Sequence, residues 1–137
     1  HINNTVINFH TNTGIAALVV MGDRDQSLRA FNNILKNAIE ATSIKRKHRI
    51  IISIDTIENE WIKISIQDNG DGIPTELREN IFKPNFTTKS SGTGLGLAFV
   101  KQTVDVMGGR IHFESKLNIG TTFYLELPLH NEGNKLP

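Results

Sequence analysis

Trp61-Ile62-Lys63-Ile64-Ser65-Ile66-Gln67-Asp68 runs without a break into Asn69-Gly70-Asp71-Gly72-Ile73-Pro74. Strict alternation of apolar and polar residues over 61–68 specifies a β-strand with one face covered and the other wet. Ile62, Ile64 and Ile66 point to the covered side, and Lys63, Ser65 and Gln67 to the other. Asp68 shares the isoleucines' parity, so the strand aims a carboxylate into the covered layer. A buried carboxylate is costly unless donors reach it. Two readings follow: Asp68 caps its own turn, or it anchors a ligand. The glycines at 70 and 72 permit positive φ and bring the backbone close to whatever lies beside it.

Upstream, Ile50-Ile51-Ile52-Ser53-Ile54-Asp55 reads as a more fully buried strand, and the 57–60 link is short enough for an antiparallel hairpin. Before it, residues 25–43 read as a helix N-capped by Asp25. Leu28, Phe31, Leu35, Ala38 and Thr42 share one face of it, widened by Ile34 and Ile39. Asn33 and Asn37, at i and i+4, lie about 40° apart on a stripe away from that face. Asparagine is a poor mid-helix residue. The pair is therefore either an accident of the surface or a place where an amide oxygen ligates Mg²⁺ that arrives with a nucleotide. The run Lys45-Arg46-Lys47-His48-Arg49 suits a helix C-terminus and the loop after it. Residues 6–10 read as a strand, followed by a turn at 11–14, and residues 16–21 as a second short strand.

Downstream, residues 75–81 suggest a short helix and 83–93 a mobile loop. Residues 95–107 form a helix with Leu97, Val100, Val104 and Met107 on one face, ended by Gly108-Gly109. Strands follow at 110–115 and 121–127, the last stopped by Pro128. In the last strand Thr121 has the parity of Phe123, Leu125 and Leu127, which puts a hydroxyl on the buried side. A carboxylate accepts and a hydroxyl does both, so Asp68 and Thr121 together suit the edge of adenine, with its exocyclic amine and ring nitrogen. Gly92-Thr93-Gly94-Leu95-Gly96 precedes a helix and can wrap phosphates with its N–H groups. It is neither the G-x-G-x-x-G fingerprint nor a P-loop. The element order, β-β-α-β-β-(α)-loop-α-β-β, specifies an α/β two-layer sandwich: a mixed, mostly antiparallel sheet covered on one face by helices.

The 137 residues carry a net charge of +1 and no cysteine. Near-neutrality removes any general pull toward nucleic acid. The absence of cysteine removes disulfides, thiolate catalysis and cysteine–zinc sites. The apolar run at 15–21 is far short of a membrane span. None of the five histidines pairs with another at metal-ligand spacing; His112 falls on an outer strand face beside Arg110 and Glu114. Residues 1–137 read as one domain with its core at about 16–128 and a polar tail at 130–137. The start at His1 suggests a piece of a longer protein.

Four segments, in order, resemble the ATP-binding catalytic domain of sensor histidine kinases, of the wider ATPase family that includes gyrase B, the MutL repair protein and a large heat-shock chaperone. Residues 33–41 resemble the family's N box, and 68–73 its first glycine box. Residues 81–86, Ile-Phe-Lys-Pro-Asn-Phe, resemble its F box, and 92–97 its second glycine box. Gly120-Thr121-Thr122-Phe123 resembles its last turn and strand. The resemblance implies the Bergerat-type ATP-binding fold, with ATP and Mg²⁺ as cofactors. It implies that Asp68 accepts from the adenine amine and that Asn37 is the metal ligand, with Asn33 and Lys89 beside it in catalysis. Lys89 would reach the γ-phosphate from a short lid at 83–93. Gly70, Gly72, Ile73, Phe82, Phe86, Thr88, Gly92, Thr93, Gly94, Leu95, Gly96, Leu97 and Thr121 would line the nucleotide.

The hydrolysing relatives resemble one another in a glutamate four residues before the magnesium asparagine. Asn33 stands there, so no carboxylate is ready to activate water, which fits phosphoryl transfer to an imidazole. Asn85 departs from an often aromatic F-box position, and Glu40 from a lysine that reaches phosphate in some histidine kinases. No histidine has the phosphoacceptor context. The implied function is therefore the catalytic domain of a two-component sensor kinase, cytoplasmic, and the resemblance leaves open a membrane-bound parent protein. Its implied partners are a separate helical dimerisation and phosphoacceptor domain and a downstream response regulator. The alternatives are a nucleotide-binding regulatory module without phosphotransfer, and a serine kinase of the anti-sigma type.

Overall fold

The computed structural model describes residues 5–11, 18–41, 47–86 and 96–130. Strand β1 (Thr5–Thr11) is followed by helix α1 (Arg24–Glu40), strands β2 (His48–Ile57) and β3 (Trp61–Asp68), and a single 3₁₀ turn (Thr75–Leu77). Helix α2 (Gly96–Val106) and strands β4 (Arg110–Lys116) and β5 (Gly120–Pro128) complete it. The five strands form one sheet in the order β1-β2-β3-β5-β4. Only β1 and β2 run parallel; every other neighbouring pair is antiparallel. Both helices lie on one face of the sheet, as the strand alternation requires. Ile62, Ile64 and Ile66 of β3 and Phe123, Leu125 and Leu127 of β5 are buried beneath them.

The β2–β3 connection turns at Glu58 and Asn59, both with positive φ (53° and 56°), and Glu60 N–H donates to the Ile57 carbonyl at 3.0 Å. That is the backbone a tight hairpin turn demands. Helix α2 ends as Gly108-Gly109 foretells. Gly108 takes φ +77°, its N–H bonds the Asp105 carbonyl, and the Gly109 N–H bonds the Val104 carbonyl at 2.9 Å. The 5→2 and 6→1 pair is a Schellman ending.

Three expectations for α1 are corrected. The N-cap of α1 is Asp23, not Asp25: Asp23 Oδ1 accepts the Gln26 N–H at 2.9 Å, and Asp25 sits inside the first turn. Asp23 with Gln26 three residues on has capping-box spacing. The helix ends at Glu40 rather than near Ser43, and the Ala41 carbonyl is taken by the Asp71 N–H at 2.9 Å; residues 42–46 lie outside the described part. Its buried line is Ala30, Ile34 and Ala38, while Leu28 is 49% exposed. The helix presses against both the sheet and α2, so small residues occupy the closest approach and Phe31, Leu35 and Ile39 pack at the flanks.

The second short strand is also absent over 18–21. Val20 makes a lone bridge to Leu129, and His130 N–H donates to the Val19 carbonyl; residues 16 and 17 lie outside the described part. In place of a helix over 75–81 there is the 3₁₀ turn and a chain of turns after it.

The uncovered sheet face is a polar and aromatic ladder. Arg110 lies over Trp61 at 4.4 Å and pairs with Glu126 at 3.2 Å. Lys63 lies over Tyr124 at 4.6 Å, and exposed His112 stacks on the same ring at 4.8 Å.

Candidate nucleotide site

The end of β3 behaves as its parity dictates. Asp68 is 4% exposed, and its neighbour across the layer, Thr121, is equally buried. Asp68 Oδ1 accepts two backbone N–H groups, from Gly70 at 2.8 Å and from Thr121 at 3.2 Å. The first bond is the carboxylate closing its own turn; the second ties β3 to the start of β5. Among the described residues, Oδ2 has no hydrogen-bond partner. Oδ1 thus builds the turn, as the first sequence reading of Asp68 has it. Burial raises the Asp68 pKa above its ordinary value, the two N–H groups pull it down, and Asp71 nearby pushes it up again.

The glycines at this end are there for approach as well as conformation. A Cβ on Gly70 would lie 2.5 Å from the Ala41 carbonyl oxygen. Gly120, at φ +147°, passes so close to the Asp68 carbonyl that no side chain fits. Asp71 is pinned from both sides, its N–H on Ala41 and its carbonyl receiving the Asn118 N–H at 2.8 Å. The turn is thereby locked between the end of α1 and the β4–β5 hairpin.

Two residues that the sequence reading missed complete this end. Ser115 Oγ accepts the Ile73 N–H at 2.7 Å and lies 2.8 Å from Thr121 Oγ1. Arg78 donates from Nε to the Ile73 carbonyl at 3.0 Å and from Nη2 to the Ser115 carbonyl at 2.8 Å. Parity carried the signal for Ser115, which follows Ile111 and Phe113 on the inner face of β4 and stands opposite Thr121 in the register. For Arg78 no pattern in the sequence marks the role.

Asn33 and Asn37 are half-buried on the flank of the Ala30–Ile34–Ala38 line, not on an outward stripe, because the buried line itself lies further round the helix. Asn33 Nδ2 donates to the Gly96 carbonyl at 3.3 Å, which fastens α1 to the first turn of α2. Asn33 therefore sits against the first residue of α2. Leu97 is half-buried against the core. Phe82 meets Phe113 and Phe123 edge-on, with centroids 5.9 and 6.3 Å away, and Phe86 packs at the edge of the same core. Thr88, Lys89, Gly92, Thr93, Gly94 and Leu95 lie outside the described residues. Among those described, no group of three or more His, Cys, Asp or Glu residues could hold a metal, and no helix is long and apolar enough to cross a membrane.

These features fit adenine: a buried carboxylate oxygen without a partner among the described residues, beside a hydroxyl at the start of β5. They fit Mg²⁺ only through a neutral amide, which suits an ion carried in by the phosphates.

Residues 22–131 match the family model for histidine kinase-, DNA gyrase B- and HSP90-like ATPases. The sensory histidine kinase/phosphatase NtrB of Azospirillum brasilense is 41% identical over 82% of the chain, and the histidine-protein kinase AtoS of Escherichia coli K12 40% identical over 85%. The chain spans only 31% and 19% of those two proteins. Among solved structures, the nucleotide-free catalytic domain of histidine kinase ThkA superposes with a TM-score of 0.78 at 36% identity, covering 91% of this chain and 80% of that one. The mycobacterial sensor histidine kinase MprB gives 0.76 at 30% identity, covering 90% and 82%.

Proposed function

The chain belongs to the family of histidine kinase-, DNA gyrase B- and HSP90-like ATPases, and on that premise we propose that it is the catalytic domain of a two-component sensor histidine kinase. It binds Mg-ATP and transfers the γ-phosphoryl group to a histidine on a separate helical dimerisation and phosphoacceptor domain of the same parent protein. A response regulator receives the group next, and the domain works in the cytoplasm.

The observation that carries the nucleotide reading is Asp68, buried with Oδ1 saturated by backbone donors and Oδ2 free of any partner among the described residues. That oxygen accepts from the adenine amine, and Thr121 meets the ring beside it. Asn37 ligates the metal. Asn33 holds the entry to α2 through the Gly96 carbonyl. The N–H groups of the 92–96 run, with Thr88, cradle the phosphates, and Lys89 reaches the γ-phosphate. Gly70, Gly72 and Ile73 form the wall at the base, with Phe82 and Phe86 behind it and Leu97 at the head of α2.

When bound, Mg²⁺ supplies charge neutralisation on the phosphates. The chain's own part is positioning. Asn33 stands where a general-base glutamate would activate water, so hydrolysis is disfavoured and the acceptor imidazole needs no such activation.

The test mixes this chain with a histidine-bearing helical domain from its parent protein and labelled Mg-ATP. Acid-labile phosphohistidine on the added domain is the expected product. ATP binding without any phosphohistidine would leave a regulatory nucleotide module, and phosphoserine would point to the anti-sigma type of kinase.

A further inference from the structure

We propose that Ser115 is a positioning residue that sets the direction of the Thr121 hydroxyl, so that the base is read at a ring nitrogen as well as at its amine. The inference rests on the adenine reading of the site and adds a residue that acts through Thr121.

A serine hydroxyl has one proton and two lone pairs. In Ser115 one lone pair is committed to the Ile73 N–H at 2.7 Å. Its proton has two acceptors in reach, Thr121 Oγ1 at 2.8 Å and the Gly120 carbonyl at 3.4 Å. The Thr121 contact is at the ordinary O–H···O distance and the Gly120 contact is long; either hydroxyl could donate in the short bond, and Ser115 is taken as its donor. Thr121 Oγ1 then accepts inside the protein and must donate outward. Beside it, Asp68 Oδ2 can only accept. An acceptor next to an outward donor is the complement of adenine, whose exocyclic amine donates and whose N1 accepts. Without Ser115 the Thr121 hydroxyl rotates freely and presents a lone pair as readily as a proton.

The arrangement is held independently of the serine side chain. Arg78 links the Ile73 and Ser115 carbonyls through two separate donors, and the cross-strand register Ser115↔Thr121 belongs to the β4–β5 ladder. Loss of the Ser115 hydroxyl therefore leaves the turn and hairpin in place while releasing the Thr121 proton.

The experiment compares dissociation constants for Mg-ATP and for Mg-1-deaza-ATP, whose ring carries carbon in place of N1, by calorimetry. Wild type should prefer ATP by about 3- to 10-fold, the worth of one neutral hydrogen bond. Ser115→Ala should reduce that preference to less than about 2-fold, Ser115→Thr should restore it, and Ser115→Cys, a weak donor of similar shape, should fall between. A purely structural serine would weaken both nucleotides equally and keep their ratio, and that result overturns the proposal. So does a wild type that does not distinguish the two nucleotides. A wild type that binds neither overturns the nucleotide reading itself, which is a different outcome.

Discussion

Thr103 and Thr121 are buried to the same degree, 5% and 4% exposed, in the same space between sheet and helices. Thr121 opens β5 and has Ser115 Oγ at 2.8 Å, with its own N–H on Asp68. Thr103 lies on α2 and lines a cavity of about 160 Å³ with Ala30, Phe31, Val104, Met107 and Leu127. Its hydroxyl has no hydrogen bond among the described residues. Six residue steps along β5, from Thr121 to Leu127, separate these ends by about 20 Å. One end of the layer holds polar groups bonded to one another, with one carboxylate oxygen of Asp68 unpartnered among the described residues. The other is apolar packing that happens to contain a hydroxyl. Burial alone therefore does not tell the two threonines apart; the state of their hydrogen bonds does.

The largest effect that tests this division is expected at the apolar end. Leu127→Ala removes a 7%-exposed side chain that already borders a void, and should lower the unfolding free energy by about 2–5 kcal/mol. Denaturant melts measure that. Binding of ATP to the remaining folded fraction should be unchanged; a parallel loss of affinity would mean that the two ends are coupled.

At the polar end Asp68→Asn is the strongest single change. Asparagine keeps one oxygen for the Gly70 and Thr121 N–H groups, and places an amide nitrogen where the unpartnered oxygen stood. A donor then faces a donor. Loss of one charge-assisted bond is worth roughly 1.5–3 kcal/mol, so affinity for ATP should fall on the order of 10- to 100-fold. Equal affinity by calorimetry would place the base elsewhere.

The same variant reports on stability with the opposite sign. The pKa of Asp68 is raised in the fold, chiefly by burial, above the ordinary 3.8. Between 3.8 and the raised native value the folded chain holds a proton that the unfolded chain has lost. The contribution of this group to stability is full below 3.8, declines as pH rises through that window, and stays lost above it. Asp68→Asn should therefore gain on the wild type at neutral pH, with the gap closing as pH falls through the window toward 3.8. A gap that widens on acidification would show that the N–H bonds outweigh burial.

Much of this was legible in the sequence because strands have period 2. Parity alone put Ile62, Ile64, Ile66 and Asp68 on one face and Thr121 with Phe123, Leu125 and Leu127, and all are buried there. The helix gave less. Its buried line is set by two neighbours at once, the sheet and α2, so small Ala30 lies inside while apolar Leu28 lies outside. Asn33 and Asn37 were found as a pair but placed on the wrong side of the core boundary for that reason. Arg78 was invisible because its partners are carbonyls, at Ile73 and Ser115, and every residue has one.

A weaker effect separates the two threonines directly. Thr121→Val should weaken ATP binding about 3- to 10-fold, the worth of a neutral hydrogen bond. Thr103→Val should not change it. Valine matches threonine in shape and removes a buried hydroxyl that has no hydrogen bond among the described residues. Valine also has slightly more to gain from an apolar lining, and removing an unpaired polar group is neutral to stabilising. Thr103→Val is therefore expected to hold or raise stability by up to about 1 kcal/mol. A loss of that size in thermal unfolding would mean that the Thr103 hydroxyl bonds within the folded chain, and that the two ends of the layer are less different than their partners suggest.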